Sequence, residues 1–155
     1  MPTRSARFDA FYAALADEGL SQALAVLNRN VPHRYTAVYR LEDAMLHNHS
    51  LFDKLGAVLP DDLASVPLGI SFCQFVLRDG VFSTSDSGSD GRLAGHPYQG
   101  VVVAYTGVPI TEQFGAGEVI GTLCHFDSCS QRLEAAEFEL LQQAAKLIRP
   151  AMIRG

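Results

Sequence analysis

The chain has 155 residues and a net charge of −5 from 12 basic and 17 acidic side chains; 48% of its residues are apolar and 19% charged. This composition lies far from the polar, highly charged corner where chains stay disordered, and the length suits one domain over residues 1–155. No basic excess is present to neutralise a phosphate backbone, so nucleic acid is not an expected partner. No apolar run approaches the roughly 18 residues of a membrane span, and Met1-Pro2-Thr3-Arg4-Ser5 opens no signal-peptide stretch, so the expected location is the cytoplasm, away from membranes. Cys73, Cys124 and Cys129 are odd in number and form no CxxC pair, which fits neither a disulfide framework nor a structural zinc site.

Phe8, Phe11, Tyr12 and Leu15 recur at helical spacing, and Leu20, Ala23, Leu24 and Leu27 resume the pattern. One amphipathic helix, broken or bent near Gly19, is predicted. After Pro32, Tyr35–Leu41 is dense in β-branched and aromatic residues and reads as a strand. Glu42-Asp43 is the predicted turn into a hairpin partner over Met45–Phe52, with its register open. Asp53–Val66 reads as a connection with at most one helical turn, because it carries Gly56, Pro60 and Asp61-Asp62. Ser71 is placed to cap a short helix through Arg78, ended by Asp79-Gly80, and Val81–Thr84 reads as a strand. The polar, glycine-rich stretch from Asp86 to Pro97 is expected to be an exposed loop.

Val101–Ile110 and Val119–Phe126 are predicted strands joined by a turn over Thr111–Glu118; their nearly continuous apolar character suggests a sheet covered on both faces. A last helix over Ser130–Ile148 carries an apolar stripe of Leu133, Leu140, Leu141, Ala144, Leu147 and Ile148. Glu134, Glu137 and Glu139 lie near its start, where the helix dipole favours anions, and Pro150 limits its end. Taken together the elements predict an α+β sandwich around a mainly antiparallel sheet.

Four segments in this order and spacing resemble the GAF domain family, in particular its bacterial small-ligand sensory members, over about residues 20 to 149. They are Ile70-Ser71-Phe72-Cys73-Gln74-Phe75-Val76; Asp86 with Asp90-Gly91-Arg92-Leu93 and His96-Pro97; Ala104-Tyr105-Thr106-Gly107-Val108-Pro109-Ile110; and Ile120-Gly121-Thr122-Leu123-Cys124-His125-Phe126-Asp127. The resemblance implies a PAS-related α/β/α sandwich with a central sheet of about six strands, terminal helices on one face and a small-molecule pocket over the other. Position by position, that pocket would draw on Phe72, Cys73, Asp86, Arg92, His96, Tyr105, Thr122 and Cys124. It also implies a homodimer through the N- and C-terminal helices and a signalling partner protein. A cyclic nucleotide is not expected, because the Asn-Lys and Asp-Glu pairs of that branch are missing from the relevant region. A covalent bilin is not expected either, because the single Cys-His pair, Cys124-His125, lies in a strand motif.

The enzymatic rival is the branch that reduces free methionine sulfoxide. Cys73 aligns loosely with one of its cysteines, but its attacking cysteine comes from a loop where this chain has Tyr98-Gln99-Gly100. Cys73 and Cys124 as a redox pair across the pocket compete with plain core packing, which buried free cysteines usually serve. Cys129 beside a helix start is read as a solvated surface thiol rather than an activated one. His47 and His49, two apart on a strand, have a metal-compatible spacing without a third ligand. Asp86, Asp90 and Gly91 echo a calcium loop whose third position is Gly88 and whose bidentate Glu is Pro97, so no metal is expected. Arg92 and His96 near Asp86 suit a polar grip on a ligand, in competition with an Arg92 to Asp86 or Asp90 contact that orders the loop. Phe72 and Tyr105 have core packing as their alternative role. No Ser-His-Asp arrangement, P-loop or GxGxxG supports hydrolytic chemistry.

Overall fold

The structure, a computed structural model, describes residues 4–56, 64–113, 116–148 and 150–153. In chain order its elements are α1 (Arg4–Asp17), α2 (Leu20–Asn28), β1 (Tyr35–Glu42), β2 (Met45–Asp53), β3 (Ser65–Pro67), α3 (Cys73–Asp79), β4 (Phe82–Thr84), β5 (Ala104–Gln113), β6 (Ala116–Asp127), α4 (Ala135–Leu147) and α5 (Pro150–Ile153). The strands form one six-stranded sheet in the order β3-β2-β1-β6-β5-β4, and every neighbouring pair is antiparallel. This is the α+β, GAF-like architecture that the sequence predicts.

Strand periodicity decides what each face of the sheet carries. Val38, Leu123, Val108 and Ile110 join Phe11, Leu24 and Leu27 of the N-terminal helices and Leu140 and Leu141 of α4 in one core. Their neighbours Tyr35, Ala37, Tyr39, Tyr105, Cys124 and Phe126 point the other way, into a second core with Phe72 and Val76. The terminal helices therefore share one face, and α3 covers the other. Gly19 separates α1 from α2 with φ 103°, a backbone conformation that side-chain-bearing residues rarely adopt. A half-buried Arg7 pairs with the buried Glu137 and ties α1 to α4.

Several local expectations are corrected. The hairpin turn sits at Asp43-Ala44, with φ 52° and 63°, one residue later than predicted, because β1 runs on through Glu42. A β-bulge pairs Val38 with Ser50 but Tyr39 with Asn48, leaving His49 as the extra residue. The bulge swaps the alternation, so Leu46 and Leu51 both face the second core, and the regular spacing that would set His47 and His49 on one face is lost. Ser71 does not cap α3; its Oγ donates to Leu68 O at 2.8 Å, and Phe72 holds the cap position. The Asp86–Pro97 stretch is anchored rather than fully exposed: Ser87 and Leu93 are buried, and Ser87 Oγ donates to Val102 O at 2.6 Å.

β5 starts at Ala104, not Val101, because Val101 N and Val102 N both turn back onto Tyr98 O at 3.0 Å. The β5–β6 turn is shorter than predicted, since the strands extend to Gln113 and from Ala116; residues 114 and 115 lie outside the described residues. Half of the predicted 53–66 connection, residues 57–63, does so too. α4 begins at Ala135, because Ser130 Oγ and Gln131 N both donate to Ser85 O and hold the preceding segment to β4. Leu133 is therefore not on the helical stripe, and Glu137 is buried opposite Arg7. Pro150 opens α5, whose Ile153 is fully buried in the first core.

Candidate functional site

On the face covered by α3, the two layers do not close completely. A cavity of about 50 Å³ remains, walled by Tyr39, Leu46 and Val66 from β1, β2 and β3 and by Tyr105 and Phe126 from β5 and β6. Ser71, Phe72 and Cys73 at the start of α3, with Tyr98 and Val102 from the segment before β5, complete the lining. Phe72 is the centre of the aromatic packing: its ring meets Tyr105 at 5.6 Å and Tyr98 at 6.4 Å, both edge-on, and His96 at 4.7 Å. Phe126 stacks on Tyr35 at 4.7 Å. Gly107 makes room for the Tyr105 ring; a Cβ there would come within 2.8 Å of Tyr105 Cε1 and Cζ.

The polar atoms of the site form a small buried cluster. Cys73 Sγ lies 3.2 Å from Tyr105 Oη and 3.3 Å from Thr122 Oγ1, and Cys124 Sγ donates to Ala37 O at 3.7 Å. Burial pushes the Cys73 thiol up, against the hydrogen bonds from Thr122 and Tyr105. The Cys124 thiol is pushed well above its ordinary value by burial and by Cys73, and the Tyr105 phenol likewise by burial and both thiols. Tyr39 is raised by burial in the same way. All four groups are protonated near neutral pH, so the cluster offers weak hydrogen bonds and no thiolate.

Of the residues expected to form the pocket, Phe72, Cys73 and Tyr105 line the cavity. Thr122 and Cys124 stand behind that lining on the same sheet face. His96 packs on the outer side of Phe72. Its Nδ1 accepts from Tyr98 N at 3.0 Å, and burial lowers its pKa, so the ring is a neutral member of the roof.

Asp86 and Arg92 are brought elsewhere, into a polar groove of about 550 Å³ at the β4 edge with Ser83, Thr106 and Arg132. There the Arg92 guanidinium makes two hydrogen bonds to Asp90, at 3.0 and 2.6 Å, and one to Ser83 O at 2.9 Å. The Arg92 guanidinium holds the Asp90 carboxyl below the usual carboxylate range. Asp86 accepts from Gly88 N at 3.1 Å. This is the loop-ordering arrangement, not a grip on the cavity.

The sequence alone does not place Tyr39, Leu46, Val66, Tyr98, Val102 or Phe126 in the pocket. Tyr35, Ala37 and Tyr39 carry the signal for one of them, an alternating row that shares its face with Cys124 and Phe126. A second buried cluster also went unread. Asn28 Nδ2 donates to Thr36 Oγ1 at 2.8 Å, and Thr36 Oγ1 is 2.6 Å from His125 Nδ1, on the helix-covered face. The His33 and His125 rings are 5.9 Å apart; burial lowers their pKa values to about 4 and about 3. Lys54 Nζ donates to Asn28 O at 2.8 Å. His125 and Cys124 thus face opposite sides of β6, as expected of consecutive strand residues.

Cys129 is exposed and lies six residues before the start of α4, not at a helix start. Among the described residues no group of three or more His, Cys, Asp or Glu side chains is placed to hold a metal ion. No helix among them is long and apolar enough to cross a membrane.

A family model for the GAF domain matches residues 16–152. The chain belongs to the GAF domain family. Solved structures with this fold include a free methionine-R-sulfoxide reductase from Neisseria meningitidis in complex with its substrate, at 17% identity and TM-score 0.69, over 92% of this chain and 84% of that one. The GAF domain of an Acinetobacter phosphoenolpyruvate-protein phosphotransferase matches at 13% identity and TM-score 0.72, over 94% and 90%. A phycocyanobilin-bound GAF domain from a cyanobacterial phytochrome matches at 15% identity and TM-score 0.68, over 94% and 91%. No curated protein matches the chain. At these identities the structural likeness speaks for the GAF fold, which hosts enzymes and signalling domains alike.

Proposed function

We propose that this chain is a non-enzymatic, cytoplasmic sensory GAF module that binds a small molecule in the cavity over the sheet and signals through a partner protein. The observation that carries this reading is the cavity itself: a lined gap between α3 and the sheet, with convergent weak polar groups and no activated nucleophile. Val101, 56% exposed, and the turns around it place a surface segment directly over that gap, suited to report occupancy by changing its order. The same reading includes a homodimer through the terminal helices, where Tyr12, Leu15, Ala16, Leu147 and Met152 line an apolar depression.

Native mass spectrometry of protein gently purified from its source tests both parts. One stoichiometric adduct per chain in a dimer is expected; a bare monomer at high concentration would remove ligand and dimer together. The rival reading, a thiol-dependent reductase, is favoured by the structural likeness to free methionine sulfoxide reductases. It needs a thiolate, yet Cys73 and Cys124 are held as thiols and Tyr98-Gln99-Gly100 supplies none. Background-level turnover of free methionine sulfoxide with a dithiol reductant is expected; saturable turnover lost in Cys73→Ser would establish the enzyme instead.

A further inference from the structure

Resting on the reading of the cavity as a ligand site, we infer that its ligand is a neutral molecule with one aromatic ring and one hydroxyl group, of the phenol class. Charge is the first restriction. Among the described residues no Asp, Glu, Lys, Arg or His lines the cavity, and the side-chain polar atoms of the lining are hydroxyls and a thiol. The Arg92 guanidinium of the charged groove sits 4.9 Å from the Phe82 ring, with Nε and Nη2 bonded to Asp90 and Ser83 O. Phe82 in turn packs on Phe72 at 5.9 Å, so two rings separate that cation from the cavity. A carboxylate, phosphate or amino-acid zwitterion would be buried without a counter-charge, at a cost that exceeds what the contacts of one small ring return.

Size is the second restriction. About 50 Å³ is smaller than the roughly 150 Å³ of a dry engineered cavity that accepts benzene. One ring therefore fits only with an outward swing of the roof that enlarges the cavity about threefold. Tyr98 and Val102 belong to a turn held by backbone hydrogen bonds to Tyr98 O, and next to them Val101 faces solvent. That segment can yield where the sheet cannot. Two fused rings would have to displace Phe72 or Tyr105, which are buried to within 5%.

Shape and hydrogen bonding supply the rest. Tyr39, Phe72, Tyr98, Tyr105 and Phe126 offer faces and edges to a flat ring. The Tyr105 hydroxyl and Cys73 thiol, already 3.2 Å apart, can admit one further hydroxyl as donor or acceptor.

The test uses the full chain with methyl-labelled Leu and Val, titrated separately with phenol, toluene, benzoate and free phenylalanine. Saturable shifts are expected at Leu46, Val66 and Val102 with phenol and toluene, phenol binding about three- to tenfold tighter. Leu24 and Leu123, on the other face, should stay still. Benzoate and phenylalanine should give no saturable shift at the cavity methyls. Tyr105→Phe should erase the preference for phenol over toluene. Val102→Phe, which fills the roof side, should abolish both shifts while the Leu24 and Leu123 signals confirm the fold.

Benzoate binding as tightly as phenol would overturn the inference. So would an anionic or zwitterionic adduct in native mass spectrometry, although the sensory reading would survive it. Absence of any shift together with a bare protein in the mass spectrum would overturn both.

Discussion

The two faces of the sheet are made by the same strands and packed by different rules. On the helix-covered face Leu24, Leu27, Val108, Ile110, Leu123 and Leu141 fill the space, each no more than 2% exposed. Branched aliphatic side chains interdigitate to the density of an organic crystal. On the opposite face the partners are Tyr39, Phe72, Tyr105 and Phe126, rigid plates whose edge-on contacts leave a gap. Adjacent residues, Val38 and Tyr39 or Leu123 and Cys124, serve the two faces. What separates scaffold from site here is residue type at alternate positions.

The largest expected effect is a truncation on the scaffold face. Leu24→Ala should cost about 4 kcal/mol in urea unfolding, towards the upper part of the range for a leucine in a filled core. Leu46→Ala, equally buried but bordering the cavity, should cost about 2.5 kcal/mol, because fewer atoms surround the deleted group. Equal losses would mean that the faces do not differ in packing.

Acid comes next, through the polar cluster at the edge of the scaffold face. His33 and His125 have folded pKa values lowered to about 4 and about 3 from 6.5. Below pH 6.5 the unfolded chain takes up protons that the folded chain refuses. Stability is therefore complete above pH 6.5 and lost progressively as pH falls towards 4 and 3. At pH 4.5, His125 alone should lower stability by about 2 to 3 kcal/mol relative to pH 7.5. Urea midpoints at the two pH values measure it, and His125→Gln should flatten the dependence. An unchanged slope in that variant would place the acid sensitivity elsewhere.

The scaffold was more legible in the sequence than the site, for reasons seen at particular residues. Helical spacing from Phe8 to Leu27, broken at Gly19, and the β-branched and aromatic density of Tyr35–Leu41 are local signals, and they match α1, α2 and β1. The bulge at His49 is not local: it depends on how β2 meets β1, and it reversed the sidedness of half that strand. The place of Arg92, in the groove and not in the cavity, is hidden from the sequence for a similar reason. A guanidinium near an Asp-rich loop reads equally as ligand grip or loop brace, and only the fold shows Asp90 and Ser83 O occupying it. Cavity residues such as Val66 and Val102 carry no chemical mark in a sequence at all, since an apolar wall looks like any other core residue.

A smaller effect probes the site face. Gly107→Ala should destabilise by about 2 kcal/mol, since its Cβ drives the Tyr105 ring away and with it the contact to Cys73. Near-UV circular dichroism should report the displaced tyrosine. Gly91→Ala, with nothing within 4 Å of the added Cβ, is the matched control and should leave both signals unchanged.

The smallest effect separates the faces most cleanly, and it should be favourable. Ala44 holds φ 63° in the two-residue turn between β1 and β2, a left-handed conformation that costs a Cβ-bearing residue about 1 kcal/mol. Ala44→Gly relieves that strain but adds freedom to the unfolded chain, so the net gain should be about 0.5 kcal/mol. The Ala44 carbonyl accepts from Leu68 N at 2.9 Å, joining this turn to the segment that leads into α3 and the roof. Glycine keeps that carbonyl, so thermal unfolding should rise slightly while binding of a cavity probe stays the same. A gain in stability accompanied by weaker binding would show that strain in the hairpin helps to hold the roof open, and the scaffold and the site would then be one mechanical unit.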